Sequence, residues 1–122
     1  MAAPTRYQRS RRKGHHVPSG VTYVGRPTKW ANPFGKQELR PRFGDGWREE
    51  AGRRFHRMIA ERRAGDPSER GAAYPSDEEI RAELVGLDLS CWCPIPKKGE
   101  PDWCHAAALI SIANDIDDPT LR

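Results

Sequence analysis

A chain of 122 residues has room for one domain with a modest core. Only 36% of the residues are hydrophobic and 31% are charged, yet four Trp, three Phe and three Tyr supply enough apolar surface for a compact fold rather than a disordered one. No apolar run approaches the roughly 18 residues of a membrane span, the polar and basic opening has no signal-peptide character, and three cysteines do not make a disulfide scaffold. These features point to reduced thiols, a cytoplasmic location and no membrane partner.

The net charge of +4 hides an asymmetry. Residues 1–44 carry ten Lys/Arg against one acidic residue, and residues 45–122 carry eleven against sixteen. A basic half that also holds Trp30 and Phe34 suits an anionic partner such as a nucleotide, a nucleic acid or phosphate. A charged, solubilising surface explains the same composition.

In chain order, Arg6 to Lys13 reads as a basic arm or an edge strand. A turn at Val17-Pro18-Ser19-Gly20 leads into Val21–Val24, a β-branched and aromatic run that predicts a buried strand. Gly25-Arg26-Pro27 stops it, and a Pro- and Gly-rich loop is expected to continue to about Gly46. From Trp47 to about Ala64 the apolar residues Trp47, Ala51, Phe55, Met58 and Ile59 recur at helical spacing. Gly65-Asp66-Pro67 ends that helix, and a polar loop follows. Ser76 and Glu79 then form a capping-box pattern for a short helix that packs Ile80 and Leu84 inward and closes at Gly86. In Leu87–Cys93 the alternation puts Leu87, Leu89, Cys91 and Cys93 on one strand face. After the loop Pro94–Pro101, Asp102 is the expected N-cap of a last helix carrying Ala106, Leu109, Ile110 and Ala113. The acidic tail, residues 115–122, is expected to fray.

The order strand, helix, helix, strand, helix predicts a small single α/β domain, residues 1–122, with a short, mostly parallel sheet and flanking helices. In such sheets ligands sit beyond the carboxyl ends of the strands. Parallel strands would therefore bring the Gly25–Phe34 loop, Cys93 and the start of the last helix to one crevice. Cys104 and His105 would lie in that helix's first turn, where unpaired N–H groups favour a thiolate or a bound phosphate. Cys104, His105 and Cys93 are thus the candidate catalytic groups; the competing assignment is that Cys93 and Cys104 are small buried hydrophobes, as free cysteines usually are. Arg26 and Lys29 are the candidate anion binders, Trp30 or Phe34 a stacking platform, and Asn32 a reader of base or sugar edges. The competing assignment for that loop is a Pro-braced core plug with its cations in water. Neither a Walker A loop nor a G-x-G-x-x-G fingerprint is present. Cys91, Cys93, Cys104 and His105 have the chemistry of a tetrahedral zinc site, but C-x-C and an adjacent Cys-His are not the usual ligand spacings, so no metal site is assigned.

These residues fall in blocks that resemble the family catalogued as domain of unknown function 4326, found in actinobacteria and their phages. The resemblance runs from about Pro4 to Asn114. It is carried by RSRRKG (Arg9–Gly14), YVGRPTKWANPF (Tyr23–Phe34), LSCWCP (Leu89–Pro94) and CHAAALISIAN (Cys104–Asn114). The family pattern has Gly-Asn-Pro-Phe where this chain has Ala31-Asn32-Pro33-Phe34, and Cys-His-x-Asp where it has Cys104-His105-Ala106-Ala107. If the family's acid is catalytic, this chain lacks it. The resemblance supports the site without naming a reaction or a cofactor.

The leading expectation is a domain that binds a nucleotide, nucleic acid or other phosphate-bearing ligand at this Cys/His and Arg/Lys/Trp/Asn pocket. The alternatives are a non-enzymatic zinc- or nucleic-acid-binding module, and a phage-type protein-interaction domain with a vestigial pocket.

Overall fold

The computed structural model describes residues 3–121; Met1, Ala2 and Arg122, the ends of the expected domain and of its acidic tail, lie outside them. Three short strands, β1 (Arg6–Gln8), β2 (Thr22–Tyr23) and β3 (Leu89–Cys91), form one sheet in the order β1-β3-β2. Both pairings are parallel, with Arg6 and Thr22 each in register with Leu89. Loop residues extend the ladder, since Arg9 N–H donates to the Cys91 carbonyl and Val24 N–H to that of Ser90. The fold is the small parallel α/β type expected from the element order.

The central strand β3 is buried at all three positions, including Ser90. The strand is shorter than the expected Leu87–Cys93, so Leu87 and Cys93 lie outside it, and β3 itself is paired on both edges and covered. The Arg6–Lys13 segment splits: its first three residues pair with β3 as an edge strand, and the exposed remainder loops away.

Helix α2 (Trp47–Arg63) matches the expected long helix and buries Ala51, Phe55, Met58 and Ile59. Helix α4 (Asp77–Leu84) has the expected Ser76 N-cap, whose side chain accepts the Glu79 N–H at 3.1 Å. It packs on α5 (His105–Ala113), which lies against β3 and α2. Two further helices correct the loop expectations. Helix α1 (Lys36–Phe43) holds Pro41 inside it and buries only Leu39, so it shows no apolar stripe to read. Helix α3 (Glu69–Ala73) is a five-residue turn that exists because Ser68 caps the Gly71 N–H and Gly71 packs near Met58. The tail is not frayed over its described length. Pro119–Leu121 form a 3-10 turn that buries Leu121, and Asp118 accepts from Thr120 and Ser111.

The core is Val24, Phe55, Met58, Ile59, Ile80, Leu84, Leu89, Leu109 and Ile112, with His56 among them. The His56 Nδ1–H donates to the Gly52 carbonyl at 2.8 Å, and Nε2 is buried without a hydrogen-bond partner among the described residues. Protonation at Nε2 would place a charge in apolar surroundings, so burial lowers the His56 pKa. A histidine held neutral in the fold gains its proton more readily when unfolded. Stability is thus full above the usual histidine pKa of 6.5 and is lost as pH falls from there toward the lower folded-state value. We expect the Tm to drop between pH 7 and 5, and His56→Gln to flatten part of that drop in thermal scans across the range. Equal slopes in both proteins would assign the acid sensitivity elsewhere.

Candidate functional site

The carboxyl ends of β2 and β3 open onto a cavity of about 270 Å³. Its lining comes from four segments: Tyr23 to Gly35 after β2, the first turns of α2, Cys91 to Cys93 at the end of β3, and Cys104-His105 at the start of α5. Parallel pairing puts the ends of β2 and β3 side by side, and the loop Pro94–Trp103 leads from β3 into α5, whose start joins the same cavity.

Local structure around Cys104 differs from the expectation. Asp102 is not the N-cap; Cys104 is, and its Sγ accepts the Ala106 N–H at 3.4 Å. Asp102 is engaged elsewhere. Its Oδ1 accepts the Cys104 N–H at 3.1 Å, and both carboxylate oxygens accept from Arg6, at 2.7 and 2.9 Å. Arg6 is 8% exposed and also donates to the carbonyls of Cys93 and Pro94, each at 2.8 Å. One guanidinium thus ties the edge strand to the Cys93-Pro94 turn and to the approach to α5.

The three cysteines converge. All three Sγ atoms lie within 4.8 Å of one another, and those of Cys91 and Cys104 stand 2.8 Å apart. The Cys93 N–H donates to the Cys91 Sγ at 3.2 Å. Negative charge settles on Cys91, whose thiol is pulled far down by its hydrogen bonds with Cys104 and then Cys93. Cys104 is pushed well up by Cys91, by Cys93 and by burial. For Cys93 the contact with Cys104 pulls down, but Cys91's hydrogen bond, burial and Cys91's charge outweigh it and push the thiol up to about 12. Against the pull of the helix end, the neighbouring sulfurs and burial push the Cys104 thiol up, and Cys104, 5% exposed, is shielded from solvent.

His105 is buried, its Nε2–H donates to the Val24 carbonyl at 2.8 Å, and its Nδ1 lies 3.9 Å from the Cys104 Sγ. Burial lowers its pKa, which keeps the ring neutral. With Nε2 committed as donor, Nδ1 is the unprotonated, accepting nitrogen.

Of the binding residues expected from the Gly25–Phe34 loop, Arg26, Asn32 and Phe34 line the cavity, whereas Lys29 and Trp30 do not. Lys29 reaches Glu79 at 2.7 Å and Glu83 on α4, where its side chain is half exposed. Trp30 is 6% exposed in the core, and its carbonyl accepts the Tyr74 hydroxyl at 2.6 Å. Asn32 spends its amide inside the protein: Nδ2 donates to the Ala51 carbonyl and Oδ1 accepts the Phe34 N–H, both at 2.9 Å. It therefore joins the loop to α2. Arg26 is exposed, with Nη2 on the Asn32 carbonyl at 3.1 Å.

The sequence reasoning missed Tyr23, Trp47, Arg48, Gly52 and Trp92 as lining residues. Gly52 carried a signal, since a glycine inside the strongest helix pattern marks a close approach of another segment. Trp47 falls on the same apolar face of α2 as Ala51 and Phe55, which marks it as a helix residue and not as a site residue.

The chain matches the family described as Domain of unknown function (DUF4326) over residues 7–115. Neither the curated proteins nor the solved structures hold a match to it. The match spans most of the chain and includes every block in which the cysteines, His105, Arg26 and Asn32 lie, and the chain belongs to this family.

Proposed function

We propose that the cavity at the ends of β2 and β3 binds a small phosphate-bearing ligand with a planar ring, of the nucleotide class, in a protein of the cytoplasm. The carrying observation is the composition of that cavity. Two exposed arginines, Arg26 and Arg48, stand at it together with the aromatic residues Tyr23, Phe34, Trp47 and Trp92. Arginine forks match phosphate oxygens, and aromatic faces hold planar rings. A volume of about 270 Å³, just under the roughly 300–1,000 Å³ of most small-molecule sites, suits a small ligand rather than a duplex.

The test is calorimetric titration and thermal shift with ADP, AMP and inorganic phosphate. Saturating ADP is expected to raise the Tm. Arg26→Ala and Arg48→Ala are each expected to weaken binding about tenfold or more, the cost of one charge-assisted hydrogen-bonding group. Absence of any shift at millimolar concentrations of all three probes would overturn the reading.

One observation favours a second reading, single-stranded nucleic acid. Arg9 lies over the Tyr23 ring at 4.6 Å, and Arg9 and Arg11 both lie 5.6 Å from the Trp92 ring. The exposed basic arm therefore reaches the rim of the cavity through two of its lining aromatics. On this reading, fluorescence anisotropy with short DNA and RNA strands gives binding that falls steeply with salt.

A further inference from the structure

We propose that Cys91, Cys93 and Cys104 form a three-thiolate site for a thiophilic divalent ion, zinc in the first place, with the fourth coordination position facing the cavity. This rests on the sulfurs alone and stands whether or not the cavity takes a phosphate-bearing ligand.

The geometry comes from two elements. Cys91 closes β3, and Cys93 sits in the bend that follows, its N–H donating back to the Cys91 sulfur and holding the two residues together. Cys104 caps α5 and brings its sulfur to 2.8 Å from that of Cys91. The result is three sulfurs mutually within 4.8 Å. A tetrahedral zinc with Zn–S bonds of about 2.3 Å holds its sulfurs roughly 3.8 Å apart, so the 2.8 Å edge between Cys91 and Cys104 must open by about 1 Å on binding.

The surroundings are those of a metal–thiolate site. Backbone N–H groups already point at two of the sulfurs, Cys93 N–H at Cys91 and Ala106 N–H at Cys104. Such donors stabilise charge on sulfur, as does the amino end of α5. The Arg6 guanidinium, anchored on the Cys93 and Pro94 carbonyls, fixes the turn that carries Cys93 and adds positive charge beside a site whose three thiolates exceed the ion's charge by one. All three cysteines line the cavity, so solvent or a bound ligand has access to the fourth position. Three protein ligands with one open position is the arrangement of reactive rather than purely structural zinc. The unusual C-x-C and Cys-His spacings are no obstacle, because a strand end, the bend after it and a helix cap do the gathering that a zinc knuckle does elsewhere. A disulfide between Cys91 and Cys104 would engage two of the sulfurs and leave the third unexplained.

The experiment uses full-length protein, reduced and freed of metal by chelator, then titrated with Zn²⁺ and with Co²⁺. One equivalent of each is expected to bind, Co²⁺ giving sulfur-to-cobalt charge-transfer bands and the intense visible bands of tetrahedral coordination. Zn²⁺ should raise the Tm and protect Cys93, the partly exposed member of the three, from iodoacetamide. Cys91→Ser, Cys93→Ser and Cys104→Ser should each weaken Zn²⁺ binding by at least about 100-fold, beyond what loss of a supporting contact produces. Far-UV circular dichroism identifies any variant that fails to fold, and the labelling readout on wild-type protein needs no variant. Arg26→Ala, which spares the sulfurs, should keep full metal affinity while losing the phosphate probes. The proposal is overturned if reduced wild-type protein binds no stoichiometric metal, if the serine variants bind as well as wild type, or if the folded protein under reducing conditions is two hydrogens lighter through a Cys91–Cys104 bond.

Discussion

Replacing Arg6 by alanine is expected to cost about 3 kcal/mol of stability, the low end for removing one partner of a buried ion pair. The low end applies because the Asp102 side chain keeps 26% of its exposure and water can reach part of it. The residue makes four hydrogen bonds, two to Asp102 and one each to the carbonyls of Cys93 and Pro94. Their loss strands the carboxylate and frees the turn between β3 and the cavity. Arg6→Met keeps the apolar stem but none of these bonds, so it should recover little of the loss. The double variant Arg6→Met/Asp102→Leu should recover more, because it removes the orphaned charge as well. Urea denaturation supplies the free energies, and iodoacetamide labelling of Cys93 should quicken in Arg6→Ala as its turn loosens. A cost below about 1 kcal/mol would mean that water replaces the guanidinium at little penalty.

How much of this was legible in the sequence depends on how far each feature reaches along the chain. Helices α2 and α4 declare themselves locally, by an apolar stripe in one and a Ser76 cap in the other. The shared crevice was legible too, because parallel strands with helical crossovers leave few topologies. Features set by partners distant in sequence were not. Arg6 reads as the first charge of a basic arm, yet its partner Asp102 is 96 positions away. That pairing is also why Asp102 does not cap α5, which shifts the helix start to His105 and moves Cys104 from the first turn to the cap. Lys29 and Trp30 sit in the motif block with the right chemistry for a ligand. Their directions are decided by α4, which supplies Glu79 and Glu83 to the lysine, and by the core around Tyr74. The cysteine spacing differs from that of knuckle- and helix-borne ligand pairs, and it takes the fold, with a strand end and a helix cap, to bring the three sulfurs together.

Gly52→Ala should destabilise the protein by about 3 kcal/mol, although the exchange favours a helix interior by about 1 kcal/mol. Two effects oppose each other, and geometry decides between them. Gly52 is buried in α2 where that helix passes the chain entering α5. A Cβ there would overlap the carbonyl oxygen of Trp103, stand 2.7 Å from its carbonyl carbon and 3.0 Å from its Cβ. These are mostly backbone atoms, so no rotamer change relieves the contact. Trp103 has little freedom to withdraw. Its ring is edge-on to His56 with centroids 5.2 Å apart, Arg53 lies 4.4 Å over it, and the next residue is the cap of α5. The helix and the chain entering α5 must separate, with costs at or above the usual range for overpacking of roughly 1–3 kcal/mol. Because Gly52, Cys104 and His105 line the same cavity, the movement reaches the site. Zn²⁺ and ADP titrations of Gly52→Ala should both weaken, beyond what its lower stability explains at temperatures where it remains folded. Arg57→Ala, an exposed exchange on the same helix, is the control and should change stability by no more than about 0.5 kcal/mol. A Gly52→Ala protein as stable as wild type would show that α2 and the Trp103 segment move apart freely, and the cavity wall would then be soft where the packing makes it rigid.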